Sequence, residues 1–422
     1  MSALKARNYQ LFASGQLISV TGSWMGRVAA DWLVLDITNS ATALGVVMAL
    51  QFAPTLLLTA WGGMLADRGN KRRLLIWTQT ALALTSLVLG VLDLAGVITF
   101  WQVALLAFVQ GIFNALDTPI RHSFIVEMVG KKDLPNAVGL NSSIFNTGRI
   151  VGPAVAGVII AGVGIGWTFV LNAGSSVAVI GGLALMRKAQ LHPSIPVQRA
   201  PGQLREALRY VRSRPDLLVA LLLVFIIDTF GMNFQLTASV MAKHVFHGDA
   251  SDYGVLSTAL GVGSFLGAVL ATRRSKRPSL RLLFLLALAF GVLEIFAGLM
   301  PTFTLEIVAL AVTGFVLLSF TTAANSSVQM GVAATMRGRV MALYLIAFLG
   351  GTPIDAPLVG ALMTSLGPRW GLIAGGVVCV VATAVLALVV RHPAALTRRR
   401  VRLREADFVD AMAVREAEDI AA

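Results

Sequence analysis

The chain is 422 residues long, 56% hydrophobic and only 13% charged, and its mean hydropathy is +0.79. A soluble domain is about 45–50% apolar and about 25% charged, so a soluble enzyme, a disordered protein and a disulfide-framed protein are all excluded. The single cysteine, Cys379, rules out an intrachain disulfide. A membrane helix needs about 20 mostly apolar residues, and reading apolar runs in chain order gives twelve. The first six are Tyr9–Leu35, Thr42–Ala66, Leu74–Leu94, Phe100–Phe124, Ala137–Val163 and Gly166–Met186. The second six are Leu217–Met241, Tyr253–Thr272, Leu280–Leu299, Phe303–Asn325, Arg339–Thr364 and Trp370–Val390. The expected fold is an all-α membrane protein of twelve transmembrane helices in two pseudo-symmetric six-helix bundles. The first bundle covers residues 1–190 and the second 216–391, with a linker at 191–215 and a tail at 392–422.

The net charge of +13 could suggest nucleic acid, but its placement argues otherwise. Of the 34 Lys and Arg, Lys243 and Arg369 fall in loops of one parity, and Arg27 and Arg149 fall inside spans. The remaining 30 lie in the termini, in the loops of the other parity, or at the span ends beside those loops (Arg121, Arg281 and Arg339), a side which the positive-inside rule places in the cytoplasm together with both termini. No cleavable leader is expected, because the first span follows Lys5 and Arg7, is long, and lacks a small-residue cleavage pattern. The tail carries a basic cluster, Arg398–Arg404, and an acidic end, Glu416–Asp419, and is read as solvated.

Between spans six and seven, His192–Pro196 and Arg199–Pro201 read as an extended linker. Leu204, Ala207, Leu208 and Val211 then recur at helical spacing opposite Arg205, Arg209 and Arg212, predicting an amphipathic helix on the inner membrane surface. The flanking halves resemble one another. Gly148 to Gly157 in span five aligns with Gly351 to Gly360 in span eleven, with Pro153 and Pro357 one position apart in register. Such repeats predict a pseudo-two-fold axis along the membrane normal and a substrate path between the halves.

The loop between spans two and three reads Gly62-Gly63-Met-Leu-Ala-Asp67-Arg68-Gly-Asn70-Lys71-Arg72-Arg73. It resembles the loop signature of the major facilitator superfamily, departing at Asn70, where the pattern has Gly. Asn tolerates left-handed backbone, so the turn is expected to survive. Gly63, Asp67, Arg68, Lys71 and Arg72 are therefore the candidate conformational loop motif. Its second-half counterpart keeps Arg273, Arg274, Lys276 and Arg277 but has Ala271 in place of the acid. Gly148, Gly152, Pro153 and Gly157 resemble the span-five signature of the antiporter branch. Physically they form a helix-packing motif, small residues allowing close backbone approach and Pro153 kinking the helix. In span four, Gln110-Gly111 matches the family core but Ala107 stands where an Arg is expected. The stretch from Asn114 to Glu127, and the connector Arg205 to Pro215, resemble the branch of enterobactin exporters and macrolide-efflux proteins.

Ionisable groups within the bilayer are costly, so those present are expected to be paired or functional. Arg27 and Asp31, and again Asp117 and Arg121, stand four residues apart and can share a helix face. Arg149 precedes Pro153, Asp228 is mid-depth in span seven, Glu294 lies in span nine, and Asp355 precedes Pro357. In the superfamily, spans one, four, seven and ten line the cavity, which directs Asp31, Asp117 and Asp228 towards substrate. These three are the proton-coupling candidates, Asp228 first because no cation lies within one turn of it. Arg27, Arg121 and Arg149 are expected to balance charge. Trp24, Phe113, Phe230, Asn233 and Gln235 are the candidate cavity residues, suited to a large, partly apolar molecule.

The resemblance implies a secondary active transporter of the cell inner membrane that exports a drug or siderophore-like molecule by proton antiport and alternating access. An importer or a lipid flippase of the same fold is the alternative. A non-transporting sensor and a membrane-embedded enzyme are less favoured; the five His lie in loops or span ends, and no Walker-type loop is present. No cofactor and no metal are expected. The expected partners are the small-molecule substrate, protons and membrane lipids, with no nucleic acid and the chain acting as a monomer.

Overall fold

The computed structural model describes residues 2–192, 203–272, 277–333 and 335–391. The extended part of the linker, the second-half basic loop at Arg273, Arg274 and Lys276, and the tail lie outside the described residues. The helices are α1 (Arg7–Thr38), α2 (Ala41–Arg68), α3 (Lys71–Leu94), α4 (Phe100–Val163), α5 (Ile165–Ala184), α6 (Gln203–Ser213) and α7 (Pro215–Ile226). They continue as α8 (Phe234–His244), α9 (Ala250–Thr272), α10 (Leu280–Leu299), α11 (Phe303–Gly331), α12 (Arg337–Leu349), α13 (Thr352–Leu366) and α14 (Trp370–Arg391).

Among the described residues, eleven segments are long and apolar enough to cross a membrane. The twelfth helix, α1, is 32 residues long, but Gln16, Ser19, Ser23, Arg27 and Asp31 dilute its hydropathy. Short polar side chains start several helices by accepting from first-turn amides that lack helical partners. Ser40 accepts from Ala43 N (3.3 Å), Ser279 from Leu282 N (3.3 Å) and Thr302 from Leu305 N (3.4 Å). At the start of α4, Gln102 reaches back to accept from Thr99 N at 2.8 Å.

The structure corrects four local expectations. The loop expected between spans four and five is helical throughout, and α4 runs from Phe100 to Val163 with one non-helical residue, Gly130 (φ 72°, ψ 172°). Only glycine adopts that conformation without strain, so the chain bends there, while it stays helical through Pro153. Asn70 is not left-handed: at φ −75° and ψ 101° its side chain caps α3 by accepting from Arg73 N at 3.1 Å. Span seven is not one continuous helix, because a wide π-type turn at Ile227–Gly231 separates α7 from α8. Span eleven breaks at Gly350–Gly351 between α12 and α13, where Pro353 enters the first turn of the new helix. The amphipathic helix expected in the linker forms as α6, and its apolar face packs on the last six spans. Ala207, Tyr210 and Val211 are buried in one hydrophobic cluster with Val332, Met336 and Val340, and Glu206 pairs with Arg339 at 2.7 Å.

The first and last six spans meet at the end of the bundle where Lys243 lies. Thr42 and Thr364 hydroxyls are 2.9 Å apart. Lys243 donates to Leu35 O at 2.8 Å and stands 3.6 Å from Asp36. Ser251 donates to Gly157 O at 3.1 Å, and the series continues to mid-depth with Thr258 donating to Ile150 O (3.3 Å) and Arg149 to Ser264 Oγ (3.2 Å). The close approach rests on glycine: a methyl at Gly45 would lie 2.3 Å from Ala356 O, and one at Gly360 2.5 Å from Ala41 O.

Candidate functional site

A cavity of about 70 Å³, partly open to solvent, lies among α1–α5. One stripe of α1 builds its first wall, with Gln16, Ser19, Ser23 and Arg27 spaced three or four residues apart and so on one face. The facing wall comes from α4, where Gln110, Asn114 and Arg121 follow the same spacing. Gln51, Gln79, Asn172 and Ser176 close it from α2, α3 and α5. No carboxylate is among the lining residues.

The acids nearby are turned away and occupied. Asp117 is fully buried and accepts from Thr78 Oγ1 and Gln79 Nε2, each at 2.8 Å, and from Arg121 Nε at 2.9 Å. Arg121 also donates to Gln16 Oε1 at 3.2 Å, tying α4 to α1. Asp31 faces α9 and accepts from the Tyr253 hydroxyl at 2.7 Å. Arg27 lies 4.6 Å over the Trp24 ring, makes no direct ion pair among the described residues, and stays within electrostatic range of Asp31.

A second polar group occupies the last six spans. Asp228 sits on the π-type turn, 3% exposed, and neither carboxylate oxygen has a hydrogen-bond partner among the described residues. Neighbouring Thr229 Oγ1 and Glu294 Oε2 are likewise unpartnered. Glu294 packs beside the turn, since a methyl at Gly231 would lie 3.1 Å from its Oε2. Asp355 accepts a hydrogen bond from Asn233, which also donates to Thr229 O at 3.2 Å. Buried Cys379 lies within electrostatic range of Asp228, Glu294 and Asp355 together.

The remaining expected residues scatter. Trp24 packs edge-on against Phe145 at 5.7 Å, Phe113 packs against Trp77 at 5.2 Å, and Phe230 packs on the core of the last six spans. Asn233 belongs to the acid group, and Gln235 is half-buried on α8. Arg149 bridges to Ser264 rather than to an acid. In the loop motif, Lys71 pairs with Glu127 at 2.6 Å and Arg72 donates to Leu183 O at 2.6 Å, holding the start of α3 to α4 and α5. Gly63 is buried near the end of α2, Asp67 is half-buried and Arg68 exposed. In the packing motif, methyls at Gly148 and Gly152 would lie 2.7 Å from Val20 Cγ1 and 2.4 Å from Trp24 Cβ on α1. One at Gly157 would lie 2.8 Å from Ser251 Cα, across the boundary between halves, and Pro153 O faces Gly254 there. Sequence reasoning passed over Gln16, Gln51, Gln79, Asn114 and Asn172 as cavity residues. The polar stripe of α1, read at helical spacing in an otherwise apolar span, was the available signal.

Helical spans in two groups, closed together at one end and enclosing buried polar sites, are the architecture of a membrane transporter. The chain belongs to the transmembrane secretion effector family of the major facilitator superfamily, whose sequence model matches residues 1–410. It is 27% identical to the staphyloferrin A transporter of Staphylococcus aureus, over 67% of this chain and 71% of that protein. It is 27% identical to the multidrug efflux pump Tap of Mycolicibacterium fortuitum, over 85% and 89%. To the enterobactin exporter EntS of Escherichia coli it is 24% identical, over 84% of each. A bacterial homologue of the human lysosomal transporter Spinster, solved inward-facing and unoccupied, superposes with a TM-score of 0.72 at 17% identity, covering 91% of this chain and 97% of that one. A peptide transporter of the POT family bound to 5-aminolevulinic acid gives a TM-score of 0.73 at 12% identity, covering 93% and 97%. The chain is a multi-pass membrane transporter and not an enzyme.

Proposed function

We propose that this protein exports a small molecule, of the siderophore or drug kind handled by its named relatives, by proton antiport with alternating access. The two bundles, residues 1–190 and 216–391, rock about the contacts between them, and both termini lie in the cytoplasm with the basic loops. The observation that carries the coupling is Asp228, buried with both oxygens unpartnered among the described residues. Charge on such a group is expensive at this depth, and carrying a proton removes that expense; exposure to water restores it. The π-type turn that holds Asp228 is a common mark of functional sites in helices and a point where a helix can change its pairing. Glu294 and Asp355 interact electrostatically with each other, and Cys379 lies within range of both and of Asp228, so the three acids belong to one polar group.

The test uses the purified protein in vesicles carrying a pH-sensitive dye, with proton movement driven by a gradient of an exported compound. Asp228→Asn keeps the shape and removes the titrating group. Substrate-driven proton movement is expected to vanish in this variant while counterflow of labelled substrate persists. Unchanged proton movement would remove Asp228 from the mechanism.

A further inference from the structure

We propose that the linker helix α6 is a latch: docked on the corner between α11 and α12, it holds the half-helix α12, and with it Tyr344, against the turn that carries Asp228. Release of α6 frees α12 to pivot at Gly350–Gly351 and admits water to that acid. The proposal rests on the reading of Asp228 as the coupling acid and adds the element that governs access to it.

The dock has an apolar core and polar pins. Along α6, Ala207, Tyr210 and Val211 stand three or four residues apart and share one face, which is buried with Val332, Met336 and Val340. Arg205, Leu208, Arg209 and Arg212 occupy the exposed face. Glu206 pairs with Arg339 of α12 at 2.7 Å, both half-buried, and Ala333 N donates to the Tyr210 hydroxyl at 3.5 Å. Beyond α6, Arg214 donates to Gly331 O at 3.4 Å and pairs with Asp216 at 3.1 Å. Asp216 also accepts from Arg277 at 2.9 Å, and Arg277 donates to Ser327 O at 3.1 Å. All of these partners belong to the last six spans. The apolar face supplies most of the hold, because a half-exposed ion pair contributes little beside buried apolar area.

The same helix meets the acid further along. Val340, Tyr344 and Phe348 recur every four residues on one face of α12. Val340 lies in the α6 dock. Tyr344 is buried, stacks on Phe348 with ring centroids 6.2 Å apart and stands within electrostatic range of Asp228. The helix packs on the π-type turn, and a methyl at Gly351 would collide with the hydroxyl of Thr229, the residue after Asp228. A displacement at Val340 is therefore carried to Tyr344, one turn and about 6 Å along a rigid element. Past Leu349 the two glycines interrupt the helix, and a few residues at an element's end are where a hinge absorbs such a movement.

Cys379, the single thiol of the chain, is buried and within electrostatic range of Asp228, so it reports water reaching that acid without an introduced cysteine. The purified full-length protein in detergent is treated with N-ethylmaleimide, and alkylation of Cys379 is followed by mass. Glu206→Gln should label about two- to fivefold faster than the unmodified protein, the contribution of one half-exposed ion pair. Val211→Asp, which places a charge in the apolar dock, should label about tenfold faster or more. Exchanging the charges, Glu206→Arg with Arg339→Glu, should return the rate to within about twofold of the unmodified one. An unchanged rate in both Glu206→Gln and Val211→Asp overturns the proposal. If Val211→Asp does not fold, an unchanged rate in Glu206→Gln overturns it alone. Acceleration in Glu206→Arg that the exchanged pair fails to reverse also overturns it, as general loosening. Labelling needs neither cargo nor gradient, so it reads the latch apart from transport. Faster labelling in the latch variants, with proton movement unchanged in Asp228→Asn, refutes the coupling reading and leaves the latch. Unchanged labelling with proton movement lost in Asp228→Asn refutes the latch and leaves the coupling reading.

Discussion

Arg27 and Asp31 show how little a spacing rule decides inside a membrane. Four residues apart on one helix they could pair, and on an exposed helix in water such a pair contributes about 0.3–0.5 kcal/mol. In the bundle Asp31 accepts from Tyr253 of α9 at 2.7 Å, while Arg27 rests on Trp24 of its own helix and stays only within electrostatic range of Asp31. The Tyr253 bond also crosses between the halves, so the residue fastens the bundle as well as satisfying a buried acid. Tyr253→Phe keeps the ring packing and removes the donor. It is expected to destabilise the closed arrangement by about 1–3 kcal/mol, the cost of leaving a buried acceptor unsatisfied. Thermal unfolding in detergent should show a lowered midpoint, and cysteines placed near Lys243 should react faster with a water-soluble thiol reagent. At this scale the sequence made the buried acids visible as rare charges in apolar runs, Asp228 among them. It did not show that Asp117 is saturated by Thr78 and Gln79 while Asp228 has no partner among the described residues, because such partners come from other stretches of chain.

Hydropathy placed the helices well because every backbone polar group in lipid must be paired within its own segment. Where helices break, hydropathy says little. Spans seven and eleven remain apolar through their interruptions, at Ile227–Gly231 and at Gly350–Gly351. Asn233 and Asp355, just beyond those two breaks, meet in a hydrogen bond, so the broken elements face one another. The bend in α4 has the opposite character: a single glycine interrupts what would otherwise be 64 helical residues. A methyl group at Gly130 would meet the His192 ring only at 3.5 Å, so space is adequate and the backbone conformation alone is at stake. Gly130→Ala is expected to cost about 1–3 kcal/mol, read as a lower unfolding temperature with substrate affinity retained.

Across the whole molecule, the joins from Thr42–Thr364 through Lys243–Leu35 to Arg149–Ser264 gather on the side where Lys243 lies and extend to mid-depth. Alternating access requires those joins to open. The Thr42 and Thr364 hydroxyls, 2.9 Å apart, occupy a geometry that a disulfide can span. Thr42→Cys with Thr364→Cys, in a Cys379→Ala background, should halt transport when oxidised and recover it on reduction. Transport continuing at full rate in the oxidised protein would count against rocking at this seam. Glycine makes the seam possible, and Gly360→Leu should loosen it because its side chain has no room beside the Ala41 carbonyl.

Sequence by itself determined the class: the count of apolar runs, the sorting of basic residues, the loop motif and the repeat of span five in span eleven all follow from local composition. Those features are legible because lipid imposes the same demand on every segment, whatever its neighbours. The tertiary structure decided which polar residues have company. Only packing brought the Gln and Asn side chains of several helices around one space with Arg27 and left Asp228 without a hydrogen-bond partner among the described residues. Such partnerships are made between different helices, from 38 residues apart for Gln79 and Asp117 to 222 for Asp31 and Tyr253, and no periodicity along one helix encodes the identity of the side chain it will face.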